Sequence, residues 1–283
     1  MRRKAANTAV ITGSAYGLGR AYALSWARRG WRIGLVDIAR EQAERTLDEV
    51  KRAGGSGEVY GCDVSSLEEV QAMADYFFSE WGEVGLLINN AGVFGAGSVG
   101  DVAMEDWRRI IAINFWGVVH GCHSFIPGMR EQGFGHIVNT ASSGGIISTP
   151  ETAPYNASKA GVISVSETIR SELAPYGVGV TVVCPTFIDT HLLSSMTVTQ
   201  DTPIGDIAKV AFEFSRMSAD EIAEKVMRAV EKNRLYVFPQ LSSKVLWMNK
   251  RIWPSFYFTL LSFLYRHDLA EPLFSWLAKK GMI

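Results

Sequence analysis

Thr12-Gly13-Ser14-Ala15-Tyr16-Gly17-Leu18-Gly19 joins an apolar strand pattern at 9–11 to a helical pattern at 20–27. Its three glycines permit backbone angles closed to other residues and let the main chain approach a pyrophosphate, whose charge is met by free N–H groups and the helix dipole. The spacing is G-x-x-x-G-x-G and not the commoner G-x-G-x-x-G, so an ordinary strand-to-helix turn stays open as an alternative. The segment predicts a strand, a tight turn and a helix N-terminus able to hold a dinucleotide.

The next apolar run, residues 32–37, ends in a carboxylate, Asp37, 18 residues after Gly19. An acid at this place can accept hydrogen bonds from both ribose hydroxyls of an adenosine, whereas it repels a 2′-phosphate. The pattern therefore favours NAD over NADP. Two alternatives stay open: Asp37 could instead cap the following helix, and Arg40 is close enough in sequence to compensate a phosphate.

Two further runs repeat the pattern of a strand followed by polar residues. They are 59–64, ending Cys62-Asp63-Val64, and 84–92, ending Asn89-Asn90-Ala91-Gly92. Because a doubly wound sheet binds its ligand at the carboxyl ends of its strands, these residues are expected at one edge. Asp63 could contact an adenine or cap the helix that begins near 65–68. Asn89 and Asn90 are open equally to cofactor contact and to bonding between strands.

Tyr155 and Lys159 lie four residues apart in a segment, 155–174, that is predicted to be helical, so both side chains project from one face. A free phenol has a pKa of about 10, and a nearby ammonium lowers that value by stabilising the phenolate. Such a tyrosine can take a proton from an alcohol as hydride leaves its carbon, or return one to a carbonyl. A predicted strand at 135–141 ends at Ser142, whose hydroxyl can donate to the substrate oxygen, and Ser143 is chemically equivalent.

Together these motifs resemble the short-chain dehydrogenase/reductase family, in the subgroup with T-G-x-x-x-G-x-G, N-N-A-G and Y-x-x-x-K. The match in type, order and spacing runs from Thr8 to about Val237. The resemblance implies an α/β fold with a doubly wound, Rossmann-like parallel sheet, helices on both faces, and assembly as a homodimer or homotetramer. The helices around 105–129 and 155–174 would form the dimer face, and Trp107, Trp116 and Phe125 could lie in that contact or in the interior.

The resemblance also assigns catalytic roles. Tyr155 would be the acid/base, Lys159 would tune it and hold the ribose, and Ser142, in preference to Ser143, would polarise the substrate oxygen. Asn114 would help hold a water that links Lys159 to solvent. The alternative for Asn114 is a bond to a local carbonyl that kinks its helix.

The predicted cofactor-binding residues combine the glycine turn, the strand ends and the family pattern. They are Gly13, Tyr16, Gly17, Leu18, Gly19, Asp37, Asp63, Val64, Asn90, Ala91, Gly92, Tyr155, Lys159, Pro185, Ile188 and Thr190. Ile188 and Thr190 are placed on the nicotinamide carboxamide by resemblance only. Where the family usually has Pro-Gly, this chain has Pro185-Thr186, a departure that bears on the local backbone and not on the mechanism.

Length and composition indicate one domain, because 283 residues with 47% hydrophobic composition and no linker can bury one large core. Residues 1–240 are predicted to be the dinucleotide-binding and catalytic domain, and 241–283 an extension of it. The net charge of −1 gives no basis for nucleic-acid binding. Three widely spaced cysteines suit reduced thiols, no metal spacing is present, and the first strand begins too early for a signal peptide, so a cytoplasmic location is expected.

The extension contains an uncharged run, 252–265, of 14 residues, shorter than the ~20 that span a bilayer, and Pro254 interrupts it. Three interpretations stay open. The favoured one is a helix packed on its own or a partner subunit, and the second is an aromatic wall for a lipophilic substrate. The third, not favoured, is an interfacial membrane anchor whose lysines and arginines face headgroups.

The sequence predicts NAD-dependent interconversion of a secondary alcohol and a ketone, with a mobile lid over the cofactor at 190–217. A bulky lipophilic substrate (steroid, acyl derivative or aromatic carbinol) is suggested by apolar residues that could equally be core: Phe94, Ile146, Ile147, Phe187 and Leu192. One alternative is an NADPH-linked 3-oxoacyl thioester reductase, which Tyr16 and Asp37 disfavour. Another is a non-catalytic dinucleotide sensor, which has no need for Tyr155 and Lys159 together.

Overall fold

A computed structural model describes residues 6–186, 197–198 and 217–280. The strands are β1 Thr8–Thr12, β2 Arg32–Asp37, β3 Ser56–Gly61, β4 Leu86–Asn89, β5 Gly95–Ala96, β6 Gly135–Thr140, β7 Val178–Val183, β8 Thr197–Val198 and β9 Tyr236–Val237. The α-helices are α1 Gly17–Ala27, α2 Arg40–Arg52, α3 Leu67–Trp81, α4 Met104–Ile111, α5 Gly117–Gln132, α6 Gly144–Ile147, α7 Ala153–Glu172, α8 Ala219–Glu231, α9 Leu241–Ile252, α10 Pro254–Arg266 and α11 Ala270–Lys279. The predicted site residues Ile188 and Thr190, the pocket residues Phe187 and Leu192, and all of the predicted lid except Thr197, Val198 and Met217 lie outside the described residues.

Seven strands form one parallel sheet in the order β3-β2-β1-β4-β6-β7-β9. The chain starts at the centre in β1, winds outward through β2 and β3, then returns to β4 and winds the other way. The loops after β1 and β4 therefore diverge to opposite sides and leave a crevice between them, the place where such sheets bind ligands. The predicted doubly wound, Rossmann-like α/β fold is confirmed.

Strand β1 shows how the sheet builds a core on each face. Ala9 and Ile11 are fully buried in the cluster shared with α1 and α8, while Val10 is fully buried in the cluster shared with α3 and α5. Successive side chains of a strand point to opposite faces, and helices cover both faces here. This is why the strand is apolar without alternation.

The third strand lies earlier than predicted. Its pairing with β2 runs from Ser56 to Gly61, whereas the sequence pattern placed it at 59–64. Cys62 donates its N–H to the Asp37 carbonyl at 3.4 Å, and the chain then leaves the sheet towards the crevice. The beginning of the strand, Ser56-Gly57-Glu58, has little β propensity, so its register could not be found from composition.

Helices α4 and α5 form one continuous helical segment, Met104–Gln132, of 29 residues, in which a window of 18 residues reaches a mean hydropathy of 1.2. Among the described residues it alone is long and apolar enough to cross a bilayer, which by itself is weak evidence. It packs against the sheet through Cys122, Phe125 and Met129, so in this fold it is a core helix. Phe125 is therefore interior, while Trp116 is 49% exposed.

The C-terminal helices pack on α6 and on Ser148, the residue that follows it. α9 ends at Ile252 and α10 begins at Pro254, a favoured first residue of a helix. Lys250 Nζ donates to the Ile146 carbonyl and, at 3.0 Å, to Ser148 Oγ. Tyr257 donates to the Ile147 carbonyl at 3.2 Å. The extension thus contacts its own subunit beside the crevice.

Gly121 permits α5 to lie against β4, which makes Gly121→Ala a test of this packing. A Cβ there would lie 2.1 Å from Asn89 Oδ1, and the Asn89 amide also donates to Asn139 Oδ1 at 2.9 Å. We expect a loss of about 1–3 kcal/mol in the free energy of unfolding, measured with urea. The control is Gly100→Ala, where nothing lies within 4 Å of the new Cβ. Equal effects of the two variants would contradict this packing.

Candidate active site

The glycine turn is folded tightly against the end of β4. Gly13 and Gly17 have positive φ angles of 64° and 51°. A Cβ at Gly13 would lie 2.7 Å from Ala91 Cα, and one at Gly19 would lie 1.9 Å from the Gly13 carbonyl oxygen. The turn therefore needs glycine at these places. Gly19 serves this close packing and does not line the crevice.

Thr12 ties the turn after β4 to β1, a role that the sequence analysis missed. Its Oγ1 accepts from the N–H groups of Asn90 at 2.9 Å and Ala91 at 3.2 Å. The Asn90 amide in turn donates to the carbonyls of Thr12 and Gly13, both at 3.1 Å. The position of Thr12 at the carboxyl end of the first strand was the available signal.

Asp37 holds the glycine turn and the start of α2 through its two carboxylate oxygens. Oδ2 accepts from the Ala15 N–H and Oδ1 from the Ala39 N–H, each at 2.9 Å. Ala39 is the N-cap of α2 and the helix has no side-chain cap hydrogen bond, so Asp37 holds the residue before the helix and does not cap it. Each oxygen keeps a second lone pair, so these bonds leave capacity for further donors. Arg40 does not line the crevice.

Asp63 lines the crevice without capping α3. Its Oδ1 accepts from the backbone N–H of Ser65 at 2.9 Å and from the Ser65 hydroxyl at 2.8 Å. The N-cap of α3 is Ser66, whose Oγ accepts from the Glu69 N–H at 3.2 Å. The interpretation of Asp63 as the cap is wrong, because the residue one position before the helix fills that role.

The predicted catalytic pair lies near the start of α7. Tyr155 and Lys159 are one helical turn apart, and Lys159 Nζ lies 5.8 Å from the centroid of the phenol ring. Nζ donates to the Thr140 carbonyl at 2.9 Å, which fixes the ammonium at the end of β6. Ser142 Oγ accepts the Gly144 N–H at 3.1 Å, and Ser142 is near enough to Tyr155 to affect the pKa of its phenol. Ser143 also lines the crevice.

Burial dominates the protonation of this pair. It raises the pKa of Tyr155, and the hydrogen bond with Ser142 opposes that rise. Burial also lowers the pKa of Lys159 to about 8, with a small opposing effect of Cys184. In the protein alone the pKa of Tyr155 is therefore raised, although the sequence analysis expected Lys159 to lower it. The reason is that desolvation disfavours both charged forms when both groups are enclosed.

Asn114 is fully buried at a π-helical turn, Ala112–Trp116, inside the long helix. Its side chain accepts from the Val93 N–H and donates to the Val93 carbonyl, both at 2.8 Å, and donates to Ser158 Oγ at 3.3 Å. It therefore bonds to the loop after β4 and to α7 in place of a local carbonyl. A Cβ on Gly92 would lie 3.1 Å from Asn114 Oδ1 and 3.4 Å from Lys159 Nζ, so Asn114 and Lys159 flank the same glycine.

One cavity of about 560 Å³ joins these groups. The predicted site residues that line it are Gly13, Tyr16, Gly17, Leu18, Asp37, Asp63, Val64, Asn90, Ala91, Gly92, Ser142, Tyr155, Lys159 and Pro185. The crevice also takes in Ile38, which was not predicted, and Thr186, which was noted only as a departure from the family pattern. Of the predicted apolar pocket, Phe94 and Ile147 line the cavity and Ile146 does not. The volume is typical of a small-molecule or cofactor site.

The three cysteines, Cys62, Cys122 and Cys184, are buried and unpaired. Burial raises the pKa of Cys62 and of Cys122 to about 12, so neither is a thiolate nucleophile at neutral pH. Within the described residues no group of three His, Cys, Asp or Glu side chains is placed to hold a metal ion.

Comparison with known proteins gives a family match. The family model described as short chain dehydrogenase matches residues 7–201. The D-threitol dehydrogenase of Mycolicibacterium smegmatis is 35% identical over 216 residues, which cover 76% of this chain and 82% of that protein. The probable oxidoreductase EphD of Mycobacterium tuberculosis is 34% identical over 233 residues. That match covers 79% of this chain but spans only 39% of EphD.

Solved structures agree with the fold. A short chain dehydrogenase/reductase from Burkholderia phymatum in complex with NAD gives a TM-score of 0.83 at 32% identity, covering 89% of this chain and 95% of that one. A short-chain dehydrogenase from Sphingobium yanoikuyae in complex with NADPH gives a TM-score of 0.72 at 26% identity, covering 83% and 88%. Structural relatives thus bind one or the other nicotinamide dinucleotide.

The buried ammonium predicts that Lys159→Met stabilises the protein at neutral pH. Below pH 8 the lysine is charged in both the folded and the unfolded state, so its desolvation destabilises the folded state. As the pH rises from about 8 towards 10.5 the folded protein loses this proton first, and the destabilisation disappears. The variant also loses the hydrogen bond to the Thr140 carbonyl. We therefore expect the free energy of unfolding to rise by about 2 kcal/mol net at neutral pH.

Urea unfolding of wild type and variant at pH 7 and at pH 10 measures that difference. The gain should be present at pH 7 and much smaller at pH 10. Lys51→Met, at an exposed position of α2, is the control and should change little at either pH. A Lys159→Met variant less stable than wild type at pH 7 would contradict the cost of burial.

Proposed function

The chain belongs to the short-chain dehydrogenase/reductase family, and from that premise we propose that it is an NAD-dependent oxidoreductase that interconverts a secondary alcohol and a ketone. The observation that supports this most is the junction of two groups of residues in one cavity. The glycine turn and Asp37 lie along one part of it, and Ser142, Tyr155 and Lys159 along another. The first can hold a dinucleotide and the second can move a proton.

Held in this cavity, a nicotinamide dinucleotide would accept or supply the hydride. The glycine turn suits it, because Gly13 and Gly17 line the cavity without a side chain, and the missing Cβ of Gly13 lets the turn pack against Ala91. Lys159 would donate to the ribose, and Asn90, Ala91 and Gly92 would support the cofactor from the side of β4.

Tyr155 would exchange a proton with the substrate oxygen through its phenol group, while Ser142 donates a second hydrogen bond to that oxygen. Because burial raises the pKa of Tyr155, the phenol is protonated at neutral pH in the protein alone and suited to protonate a carbonyl oxygen. Alcohol oxidation needs the phenolate, whose charge the ammonium of Lys159 would stabilise. Asn114, one layer behind, would position the loop that carries Gly92.

The preference for NAD over NADP rests on Asp37. Its carboxylate lies in the cavity wall beside Tyr16 and Ile38, and the one lysine or arginine among the described lining residues, Lys159, is held at the end of β6 by the Thr140 carbonyl. A 2′-phosphate bound here would face an uncompensated carboxylate. Ribose hydroxyls would instead find a hydrogen-bond acceptor.

The substrate we propose is bulky and lipophilic. Phe94 packs edge-on against the Tyr155 ring with centroids 4.8 Å apart, and Phe274 of α11 packs on the same cluster. An apolar wall formed partly by the C-terminal extension would therefore lie beside the reacting oxygen. A steroid, a long acyl derivative or an aromatic carbinol would bury its apolar part there. We place the enzyme in the cytoplasm as a homo-oligomer, as family members commonly assemble.

Tyr155→Phe removes the proton donor and keeps the ring against Phe94. We expect kcat to fall by about 10²-fold or more with a bulky secondary alcohol, since general acid–base catalysis contributes this much. The dissociation constant for NAD, measured by fluorescence titration, should change little. The control is Tyr257→Phe, which removes a hydroxyl from the C-terminal extension. Turnover of Tyr155→Phe at the wild-type rate would overturn the assignment.

Asp37→Asn tests the cofactor preference. Removing the charge should raise kcat/KM with NADP by about tenfold and lower kcat/KM with NAD, because the repulsion of a 2′-phosphate at ~4 Å is worth at least ~1 kcal/mol. The matched control is Asp101→Asn, at an exposed position outside the cavity. If the ratio of the two kcat/KM values is the same in wild type and Asp37→Asn, Asp37 does not set the preference.

A further inference from the structure

The three C-terminal helices expose a concentration of apolar side chains. Of the twenty large apolar residues exposed within the described part of the chain, twelve lie in 241–280. The other eight are spread over the rest of the described chain. A soluble protein rarely leaves such a cluster uncovered, so a surface of this kind normally has a partner.

These side chains form stripes along the helices. On α9 the stripe is Leu241, Val245, Met248 and Ile252, and on α10 it is Phe256, Leu260 and Phe263. The spacing places each set on one helix face, and the exposed fraction of every member lies between 46% and 76%. On α11, Leu273 and Trp276 are 37% and 53% exposed.

A different face of α10 holds the extension to its own subunit. Leu261 is 9% exposed, and Tyr257, one turn earlier, donates to the Ile147 carbonyl. Lys250, near the end of α9, is likewise turned inward to the end of α6 and to Ser148. The stripes are therefore not the face that stabilises this subunit, and they are free to meet something else.

The charge of the extension is opposite to that of the rest of the chain. Residues 241–283 contain six lysines and arginines against two acids, a net charge of +4 in a chain whose net charge is −1. The remaining 240 residues therefore carry −5. Among the positive side chains, Lys244, Arg251, Arg266, Lys279 and Lys280 are exposed. Aromatic and aliphatic stripes flanked by cations are typical of helices that lie in a membrane interface.

We propose that α9, α10 and α11 dock this enzyme on an anionic lipid surface, with the stripes buried at the boundary between headgroups and acyl chains. A second copy of the chain fits less well, because pairing this surface with itself would bring two clusters of net charge +4 together. Lysine is also depleted from the cores of protein interfaces. α10 has 13 residues and is too short to span, so the helices lie on the membrane and do not cross it.

This attachment would place the apolar end of the crevice beside the lipid. Phe274 of α11 packs on the cluster of Phe94 and Tyr155, while Trp276 of the same helix is exposed. A lipophilic substrate could then pass between the bilayer and the cavity. The docking itself does not depend on the proposed reaction.

The test is co-sedimentation of the full chain with vesicles of phosphatidylcholine alone or of equimolar phosphatidylcholine and phosphatidylglycerol, at low and high salt. We expect binding to the anionic vesicles that weakens at high salt, with little binding to phosphatidylcholine. Phe256→Ser combined with Phe263→Ser should abolish binding. Lys279→Glu combined with Lys280→Glu should weaken it by about tenfold or more, since each cation near the surface contributes ~1 kcal/mol.

Two controls match these variants. Val99→Ser removes an apolar side chain that is 65% exposed elsewhere, and Lys51→Glu combined with Lys232→Glu reverses two exposed cations outside the extension. Neither should alter vesicle binding. Wild-type protein that stays in the supernatant with anionic vesicles at low salt overturns the proposal, whatever the variants do. If Phe256→Ser with Phe263→Ser instead lowers the mass measured by light scattering, the surface is an interface between copies of this chain.

Discussion

The site depends on the hydrogen bonds that join the ends of β1 and β4. Thr12 Oγ1 accepts the N–H groups of Asn90 and Ala91, and the Asn90 amide donates back to the carbonyls of Thr12 and Gly13. β1 and β4 are paired as far as Ile11 and Ile88, and beyond these residues the chain leads off in opposite directions. The bonds of the sheet therefore do not hold the two loops together. These side-chain bonds replace the ladder and set the spacing of the crevice.

The same constraint carries over to the catalytic side. The loop after β4 continues to Gly92 and Val93, and Asn114 holds Val93 by both its N–H and its carbonyl. Asn114 also donates to Ser158 of α7, the helix that bears Tyr155 and Lys159. The predicted cofactor-binding and catalytic groups are therefore linked through one short loop. A shift of that loop would change both halves of the site together.

The sequence predicted the fold and a little more than half of the residues that line the cavity, because glycine spacing, strand ends and the Tyr155–Lys159 interval are local patterns. It could not predict long-range consequences. The mutual burial of Tyr155 and Lys159, which raises one pKa and lowers the other, needs the enclosing residues to be known. The role of Asp63 depended on which of several polar residues caps α3. Thr12 has no distinguishing sequence pattern, and its role follows only from its bonds to Asn90 and Ala91. Ile188, Thr190 and the predicted lid, apart from the β8 residues and Met217, remain predictions outside the described residues.

The most direct test of the central claim is NADH formation, followed by near-ultraviolet absorbance, across secondary alcohols from short aliphatic compounds to hydroxysteroids, with NAD and NADP in parallel. The account predicts turnover with NAD on a bulky member of the series and much less with NADP. Measurable NAD binding with no turnover of any alcohol, and no reduction of the corresponding ketones by NADH, would contradict it.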